Sequence, residues 1–305
     1  MLDFRIITYL TLCEQKSYTK TAQLLHITQP AVTQHIRYLE QYYGCKLFTY
    51  RSRTLSLTPK GEQLRDALLS LQSNSARILE VISQPENTRQ ILHFGATLTI
   101  GEFIIPAVLQ RLLAQNPGLH PVAEVSNTRD LIQKLRRGDL DFVLLEGFFD
   151  RSKYEAYPFS SEEYICVASP SSPLPERLSS IDRLFGQRLI VREEGSGTRE
   201  IIEQLLYEHN ASLQDFNGLL EIGNPGAIKE LVKQQCGIAF LYRAAVEQEL
   251  SQGTLRQITV NGFQAIREFY FVFLKDSMLE QENKAMLHTM KTIWEAAKPS
   301  RRSES

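Results

Sequence analysis

Features that mark metalloproteins and disulfide-bonded proteins are missing from this sequence. Its 305 residues include four cysteines, Cys13, Cys45, Cys166 and Cys236, with no CxxC pair and no spacing typical of metal ligands. We therefore predict reduced thiols, no metal and no other cofactor. A redox switch between Cys166 and Cys236 is the alternative, although both lie in apolar or strand-like settings, where a free cysteine usually packs.

A secretory leader and long apolar runs are also missing. No stretch is long enough to cross a bilayer. The first twenty residues carry Asp3 and Arg5 within their apolar part and lack a small-residue cleavage site, so they do not resemble a signal peptide. The sequence predicts a cytoplasmic protein without a membrane partner.

The motifs of common enzyme classes are absent as well. There is no GxxxxGK[ST] phosphate loop, no GxSxG nucleophile motif and, among six histidines, no HExxH zinc motif. The apolar content of 43% and charged content of 23% are those of a globular protein with buried cores. We expect two or three domains and no catalytic residues.

Charge is divided unevenly along the chain, although the net charge is only −1. Residues 1–61 contain eight basic and three acidic residues, a formal charge of +5, and the remaining 26 basic and 32 acidic residues give −6. A basic head on an acidic body indicates that only the head meets a polyanion such as DNA.

The head, residues 1–60, has the pattern of three helices. In the first helix, apolar residues recur at helical spacing at Phe4, Ile7, Leu10 and Leu12. Ser17 can cap a second, short helix, in which Ala22 and Leu25 face inward. A third helix is expected after the turn at 26–28, with Pro30 in its first turn and Gly44 at its end.

The third helix has one apolar and one polar side. The apolar stripe consists of Val32, Ile36, Leu39 and Tyr43, and the polar side presents Ala31, Gln34, His35, Arg37 and Tyr38. A glutamine amide can read an adenine edge, an alanine methyl can contact thymine, and an arginine can hold phosphate. Two short helices joined by a tight turn therefore predict a helix-turn-helix. An amphipathic helix with an ordinary solvated face is the alternative.

The segment after the third helix, CKLFTYRSRTLSLTPKG, predicts a small hairpin with Arg51 and Arg53 near its tip. A basic hairpin beside a recognition helix is the wing of a winged helix, which contacts the DNA backbone or minor groove. We predict DNA contacts from Thr28, Gln29, Ala31, Gln34, His35, Arg37, Arg51 and Arg53.

The stretch from Ser17 to Gly61 resembles the N-terminal signature of the LysR-type transcriptional regulators. The matching positions are Ser17, Ala22, Leu25, Gln29, Pro30, Ala31, Val32, Ile36, Leu39, Glu40, Gly44, Leu47, Phe48, Arg53, Leu57, Thr58 and Gly61. One position departs from the signature: where the family usually has arginine two residues after the phenylalanine, this chain has Tyr50, and Arg51 follows.

Residues 61–88 are predicted to form a linker helix and a hinge. The apolar positions follow a heptad spacing with one weak place, Leu64, Leu68, Leu71, Ser75, Ile78 and Ile82. The resemblance implies an antiparallel dimerisation helix, and hence a homodimer or homotetramer. A helix docked on the body of its own chain is the alternative. The polar stretch 83–90 contains a proline and predicts the hinge.

The body, residues 89–305, alternates β-like runs with helical patterns, which predicts an α/β fold with a mostly parallel sheet. The expected strands are 91–96, 121–126, 141–146, 164–169, 188–193, 237–242 and 267–275, with helices expected at 101–117, 127–138, 198–210 and 224–236. This order resembles the two-lobed, periplasmic-binding-protein-like effector domain of the same regulators. It implies lobe 1 at about 89–162 and 267–299 and lobe 2 at about 163–266, with the crossings near 160–163 and 264–268.

Two strand-to-helix turns, ATLTIG at 96–101 and GSGTR at 195–199, predict an anion site. Ligands of open α/β sheets bind at the carboxyl ends of strands, where helix N-termini offer free N–H groups. The resemblance implies that the two turns face each other across one cleft. We predict effector contacts from Thr97, Leu98, Thr99, Ser196, Gly197 and Thr198. The alternatives are that Ser196 and Thr198 only cap their helix, and that Arg199 is solvated rather than a ligand contact.

These patterns together predict a sequence-specific, DNA-binding transcriptional regulator whose body binds a small anion or carboxylate. Its partners would be double-stranded DNA, the effector, further copies of the chain and RNA polymerase. A solute-binding protein is one alternative, and the basic head argues against it. An enzyme for a phosphorylated substrate is another, and the lack of a nucleophile or general base near GSGTR argues against it.

Overall fold

Three short helices and a hairpin form the N-terminal part of the chain. The computed structural model describes residues 3–51, 54–83, 90–263 and 265–297. The helices are α1 (Phe4–Gln15), α2 (Tyr18–Leu24) and α3 (Gln29–Tyr42), followed by strands β1 (Phe48–Arg51) and β2 (Thr54–Leu57) and by the long helix α4 (Pro59–Ser83). The two strands pair antiparallel, as a wing requires.

Polar caps and buried apolar faces explain why these helices begin and pack where they do. Ser17 accepts a hydrogen bond from the backbone of α2, and Thr28 accepts one from the backbone of α3. The core between the helices is made of residues with little or no exposure, among them Tyr9, Leu10, Leu12, Cys13, Ala22, Val32, Ile36, Leu39, Leu47 and Leu55.

Two residues assigned to buried stripes by the sequence are exposed. Phe4 is 46% exposed and Tyr43 is 42% exposed. Phe4 lies in the first turn of α1, and its ring meets the ring of His35 edge-on at the rim of the core. Tyr43 is the C-cap of α3, so the helix ends before the stripe reaches it. The buried face of α1 instead includes Tyr9, Leu12 and Cys13.

Helix α4 is anchored at its start and exposed further along. The Tyr9 hydroxyl donates to the carbonyl of Gly61 at 2.6 Å, and Leu68 and Leu69 join the core of the N-terminal helices. Leu71, the next seam position, is 54% exposed. The side chains of Ile78 and Ile82 and hinge residues 84–89 lie outside the described part of the chain, so the dimer seam and the hinge stay predictions.

The remainder of the chain is an α/β structure. Its strands are β3 (Gln90–Thr97), β4 (Leu119–Ser126), β5 (Phe142–Leu145), β6 (Tyr154–Ala168), β7 (Arg177–Leu178), β8 (Leu189–Val191), β9 (Leu219–Glu221), β10 (Ile238–Tyr242), β11 (Arg256–Val260) and β12 (Ala265–Leu274). Its helices are α5 (Leu98–Phe103), α6 (Ile105–Gln115), α7 (Thr128–Arg137), α8 (Gly197–Glu208), α9 (Pro225–Lys233), α10 (Arg243–Ser251) and α11 (Glu280–Ala297).

These strands share one hydrogen-bonded network in the order β4-β3-β5-β12-β6-β10-β8-β9, with β11 beside β6 and β7 beside β11. Strands β4, β3 and β5 are mutually parallel, and so are β10, β8 and β9. The two long strands β6 and β12 pair antiparallel and connect these groups. The segments predicted as crossings pair with each other here, since Tyr164 lies opposite Ala265 and Ser161 opposite Glu268.

The body differs from the sequence prediction in three ways. The strand expected over 164–169 begins ten residues earlier, at Tyr154, in the long strand β6. The single helix expected over 101–117 is two helices that break at Ile104, because Pro106 in the first turn of α6 has no N–H to continue the helix. Strands β7, β9 and β11 and helix α10 were not predicted. The strands are short, and their few apolar residues give weak periodicity.

The described residues form two compact units: those that fall within 1–88, together with the short segments 136–139 and 276–278, and those of the rest of the chain. Buried aromatic and aliphatic side chains, including Phe94, Phe142, Phe271 and Trp294, fill the main core of the second unit. None of the described helices is long and apolar enough to cross a membrane.

Candidate functional site

Helix α3 presents part of its predicted DNA-reading side to solvent. Gln29, Gln34 and Arg37 are exposed, and Ala31 is partly exposed. The Thr28 hydroxyl accepts a hydrogen bond from the Ala31 backbone at 3.3 Å, so it caps the helix. An amide and a guanidinium on one open helix face can approach base edges and phosphates.

His35 is held from behind by α1. Its Nδ1 lies 2.9 Å from the Thr8 hydroxyl, and that hydroxyl donates its one hydrogen to the Phe4 carbonyl at 3.0 Å. His35 is half-buried and oriented by these contacts, so it has less freedom than its exposed neighbour Gln34.

Strand β1 ends at Arg51, which lies opposite Thr54, the first residue of β2. The side chain of Arg51 and residues 52–53, including Arg53, lie outside the described part, so their DNA contacts stay predictions. On the described wing, Tyr50 is 70% exposed. The base of the hairpin is fixed by Glu40, whose carboxylate accepts from the Leu47 backbone at 3.0 Å and from the Lys46 ammonium at 2.6 Å.

In the second unit, a buried glutamate joins the two turns that the sequence predicted as an anion site. Glu146 follows β5 directly and is 1% exposed. Its Oε1 accepts a hydrogen bond from the Thr99 hydroxyl at 3.0 Å and from the Thr198 hydroxyl at 2.8 Å. Since β3 and β5 are adjacent and parallel, their carboxyl ends bring Thr99 and Glu146 to one edge of the sheet. Thr198 reaches the same carboxylate from α8.

The backbones also meet at this point. A Cβ on Gly197 would lie 2.5 Å from the Glu146 carbonyl oxygen, and a Cβ on Gly147 would lie 2.6 Å from the Gly197 Cα. Gly147 also has a φ of +87°, which side chains rarely adopt. Only glycine at both positions allows the β5 end and the α8 start to approach this closely.

Several buried polar atoms around these turns have no hydrogen-bond partner among the described residues: Thr97 Oγ1, Glu146 Oε2, Arg192 Nη1, Ser196 Oγ and Tyr242 OH. Thr97 and Ser196 are the N-cap residues of α5 and α8, yet neither side chain caps its helix. Buried polar atoms are normally paired, so this group indicates a place that a polar ligand can complete.

The capping alternative for GSGTR therefore does not describe this structure. The Ser196 hydroxyl leaves its helix unbonded, and the Thr198 hydroxyl goes to Glu146. Arg199 donates to the carboxylates of Glu203 at 2.8 Å and Glu221 at 2.6 Å, so acidic neighbours already hold it. Leu98 is partly exposed and contributes no polar side-chain group.

The electrostatics of the site are set by burial. Burial raises the pKa of Glu146 to about 7, while the hydrogen bonds from Thr198 and Thr99 and the charge of Arg192 act against that rise. Arg192 is 3% exposed and is paired with the adjacent Glu193 through Nε at 2.7 Å and Nη2 at 2.8 Å. Burial also raises the pKa of Tyr164 and Tyr242 far above the ordinary value, so both phenols are neutral.

The structure places Thr99, Gly197 and Thr198 beside Glu146, with Arg192 nearby, and the sequence prediction did not include Glu146 or Arg192. A local signal was present for each: both are charged residues that directly follow a fully buried strand, FVLL and LIV. No group of three or more potential metal ligands occurs in the described ranges. The polar groups of the site are hydroxyls, a guanidinium, a carboxyl group and a helix N-terminus.

Comparison with known proteins assigns both parts of the chain to one family. Residues 5–62 match the family described as bacterial regulatory helix-turn-helix protein, lysR family, and residues 85–294 match the LysR substrate binding domain. The HTH-type transcriptional regulator YeiE of Escherichia coli is 31% identical over 244 residues, which is 80% of this chain and 81% of that protein.

Solved structures show the same fold. An OxyR mutant of Corynebacterium glutamicum superposes with a TM-score of 0.62 at 21% identity, covering 96% of this chain and 91% of that chain. The regulatory domain of Synechocystis PCC6803 CcmR, solved in complex with 2-PG, gives a TM-score of 0.61 at 22% identity, covering 67% of this chain and 97% of that chain.

A winged helix-turn-helix with an open recognition helix thus precedes an α/β domain with a buried polar site, and both parts match the same family. The chain belongs to the LysR family of helix-turn-helix transcriptional regulators and carries its effector-binding domain.

Proposed function

We propose that this regulator binds its operator through α3 and the hairpin, and that a small anion bound between residues 97–99 and 196–198 controls that binding. The observation that carries the proposal is the buried clasp in which Glu146 holds the hydroxyls of Thr99 and Thr198. Beside it, Ser196 Oγ and Arg192 Nη1 lack partners among the described residues. A hydroxyl, a guanidinium and the N-terminus of α8 all favour negative charge.

Control follows from differential binding. An anion that bonds to both turns favours the arrangement in which Thr99 and Thr198 are close, and it stabilises that arrangement only by its difference in affinity for the two states. In a homodimer or homotetramer on double-stranded DNA, such a change alters the spacing of the paired winged helices. RNA polymerase is then the partner that responds to the changed spacing of the winged helices.

The domain division that goes with this function is 1–60 for DNA binding, 61–88 for the linker and 89–305 for effector binding, in a cytoplasmic protein. The site binds its ligand without chemistry, in keeping with the match of residues 85–294 to the LysR substrate binding domain. The alternatives of a solute-binding protein and of an enzyme for a phosphorylated substrate leave the exposed Gln34 and Arg37 side of α3 without a use.

The anion site is tested by combining Ser196→Ala with Thr99→Val in the full chain. A thermal-shift screen first identifies which small anion or carboxylate stabilises the wild-type protein. We expect the double variant to bind upstream DNA as tightly as wild type but to show no change of DNA footprint with that anion. Ser251→Ala, which removes an exposed hydroxyl on α10, is the matched control and should respond normally. If the footprint of the double variant still changes with the anion, the anion binds at another site.

DNA binding is tested by a salt titration with the protein's own upstream DNA. A regulator that holds a handful of phosphates should lose affinity steeply, with a log–log slope of several units. A flat dependence, or no binding, would favour the solute-binding or enzyme alternative.

A further inference from the structure

The two oxygens of the Glu146 carboxyl group have different surroundings. Oε1 accepts the hydrogens of both threonine hydroxyls, so it is the carbonyl-like or charged oxygen. Oε2 is buried and has no hydrogen-bond partner within the described ranges. If the group is protonated, Oε2 carries the hydrogen and needs an acceptor. If the group is ionised, Oε2 needs a donor.

We propose that the effector anion binds together with one proton, held between an oxygen of the anion and Oε2 of Glu146, so that the site selects oxyanions that carry a hydrogen. This inference rests on the proposed anion site. A hydrogen-bearing oxyanion donates its O–H to ionised Glu146. A fully ionised oxyanion accepts from protonated Glu146, and its binding then takes up one proton from solution.

The charges around Glu146 make the proton necessary. The groups facing the glutamate are the hydroxyls of Thr99, Thr198 and Thr128, the neutral phenols of Tyr164 and Tyr242, and the charges of Arg192 and Glu193. Arg192 is the one cation in this set, and its Nε and Nη2 are already paired with Glu193. A hydrogen-free anion placed against ionised Glu146 would therefore bring two acceptor oxygens together with no hydrogen between them, beside a buried charge that no free cation among these described groups compensates.

The proton is available near neutral pH. Burial raises the pKa of Glu146 to about 7, so near neutral pH the ligand-free protein is a mixture of molecules with protonated and with ionised Glu146. An anion that carries a hydrogen can donate to ionised Glu146 or accept from protonated Glu146, so its affinity does not depend on this equilibrium. An anion without one binds only the protonated fraction of the protein, and its apparent affinity falls with that fraction.

The test compares inorganic phosphate with sulfate by titration calorimetry on the full-length protein. Phosphate carries at least one hydrogen at both pH 6 and pH 8, whereas sulfate carries none. We expect sulfate affinity to fall about tenfold from pH 6 to pH 8, because the protonated fraction of Glu146 falls by that factor, and phosphate affinity to change about twofold or less. If sulfate binds as tightly as phosphate and its affinity does not change with pH, the proposed shared proton is refuted, while the proposed anion site stands.

Glu146→Gln supplies a permanent donor in place of Oε2 and should bind sulfate equally at both pH values. Glu194→Gln, a change in the same loop at a side chain that is 88% exposed, should keep the wild-type dependence. Calorimetry on the wild-type protein in two buffers of different ionisation enthalpy gives a second measurement, the number of protons taken up on binding. We expect about one proton per sulfate at pH 8 and about 0.1 at pH 6. Zero uptake at both would also overturn the proposal, and a lack of binding by either anion to any variant would contradict the proposed anion site itself.

Discussion

Replacing Glu146 by glutamine should stabilise the C-terminal unit, and the gain should grow with pH. Burial raises the pKa of the glutamate from its ordinary 4.5 to about 7. The folded state therefore holds the proton more tightly than the unfolded state, and the resulting stability, fully present below pH 4.5, is lost as pH rises through 7. The loss by pH 8 is about 3 kcal/mol, since each pKa unit corresponds to about 1.4 kcal/mol.

Glutamine keeps the shape of the side chain and a carbonyl oxygen for the hydroxyls of Thr99 and Thr198, but it cannot ionise. Urea unfolding followed by tryptophan fluorescence measures the effect in the right unit, because Trp294 is the one tryptophan of the chain and is buried in the core that includes α11. The free energy of unfolding of the variant minus that of wild type should rise by about 2 to 3 kcal/mol between pH 5 and pH 8.

The measured result is the difference between each variant and wild type, because any pH dependence that the proteins share cancels in that difference. Glu194→Gln, at an exposed side chain of the same loop, should give a curve parallel to wild type. If the Glu146→Gln curve is also parallel to wild type from pH 5 to pH 8, the glutamate ionises as it does in water, and the effect of burial on its pKa is refuted.

Three further variants probe other parts of the molecule. Arg37→Ala should weaken DNA binding for all sequences and reduce the salt slope by about one, measured by fluorescence anisotropy, and an unchanged slope would remove Arg37 from the phosphate contacts. Gly197→Ala should abolish the footprint change caused by the effector while sparing DNA binding, because its Cβ would lie 2.5 Å from the Glu146 carbonyl oxygen, and a normal response would contradict that close approach. Tyr9→Phe should lower the free energy of unfolding of the N-terminal unit by about 1 to 3 kcal/mol in a urea titration followed by circular dichroism, since the buried Gly61 carbonyl loses its partner. Equal stability would mean that the carbonyl finds another donor.

The N-terminal helices were predictable because their signals are local. Ser17 and Thr28 cap helices within three residues of themselves, and the spacing of Val32, Ile36 and Leu39 fixes which side of α3 is buried. The limits of this reasoning appear at helix ends, where Phe4 and Tyr43 leave the core although their spacing fits it.

Only part of the clasp around Glu146 was predictable, because the residues that form it are far apart in the sequence. The sequence identified the two threonine-bearing turns from their strand-to-helix pattern. Glu146 lies 47 residues from Thr99 and 52 from Thr198, and only the strand order brings the three together. A charged residue directly after a buried strand was visible in the sequence, but nothing local distinguished an exposed loop carboxylate from a buried one.

The connection between the two halves of the effector domain has a mechanical consequence. Strands β6 and β12 are hydrogen-bonded to each other from Tyr154 to Tyr164, so the halves are joined by one ribbon rather than by two independent tethers. A ribbon bends across its flat face far more easily than within its plane, and the register shifts between Phe269 and Tyr270, where a bulge locally bends and twists the strand. Under the proposed function, an effector that holds Thr99 and Thr198 together would act on the two halves through this one ribbon, so different ligands would differ in how strongly they favour the closed arrangement rather than in its geometry.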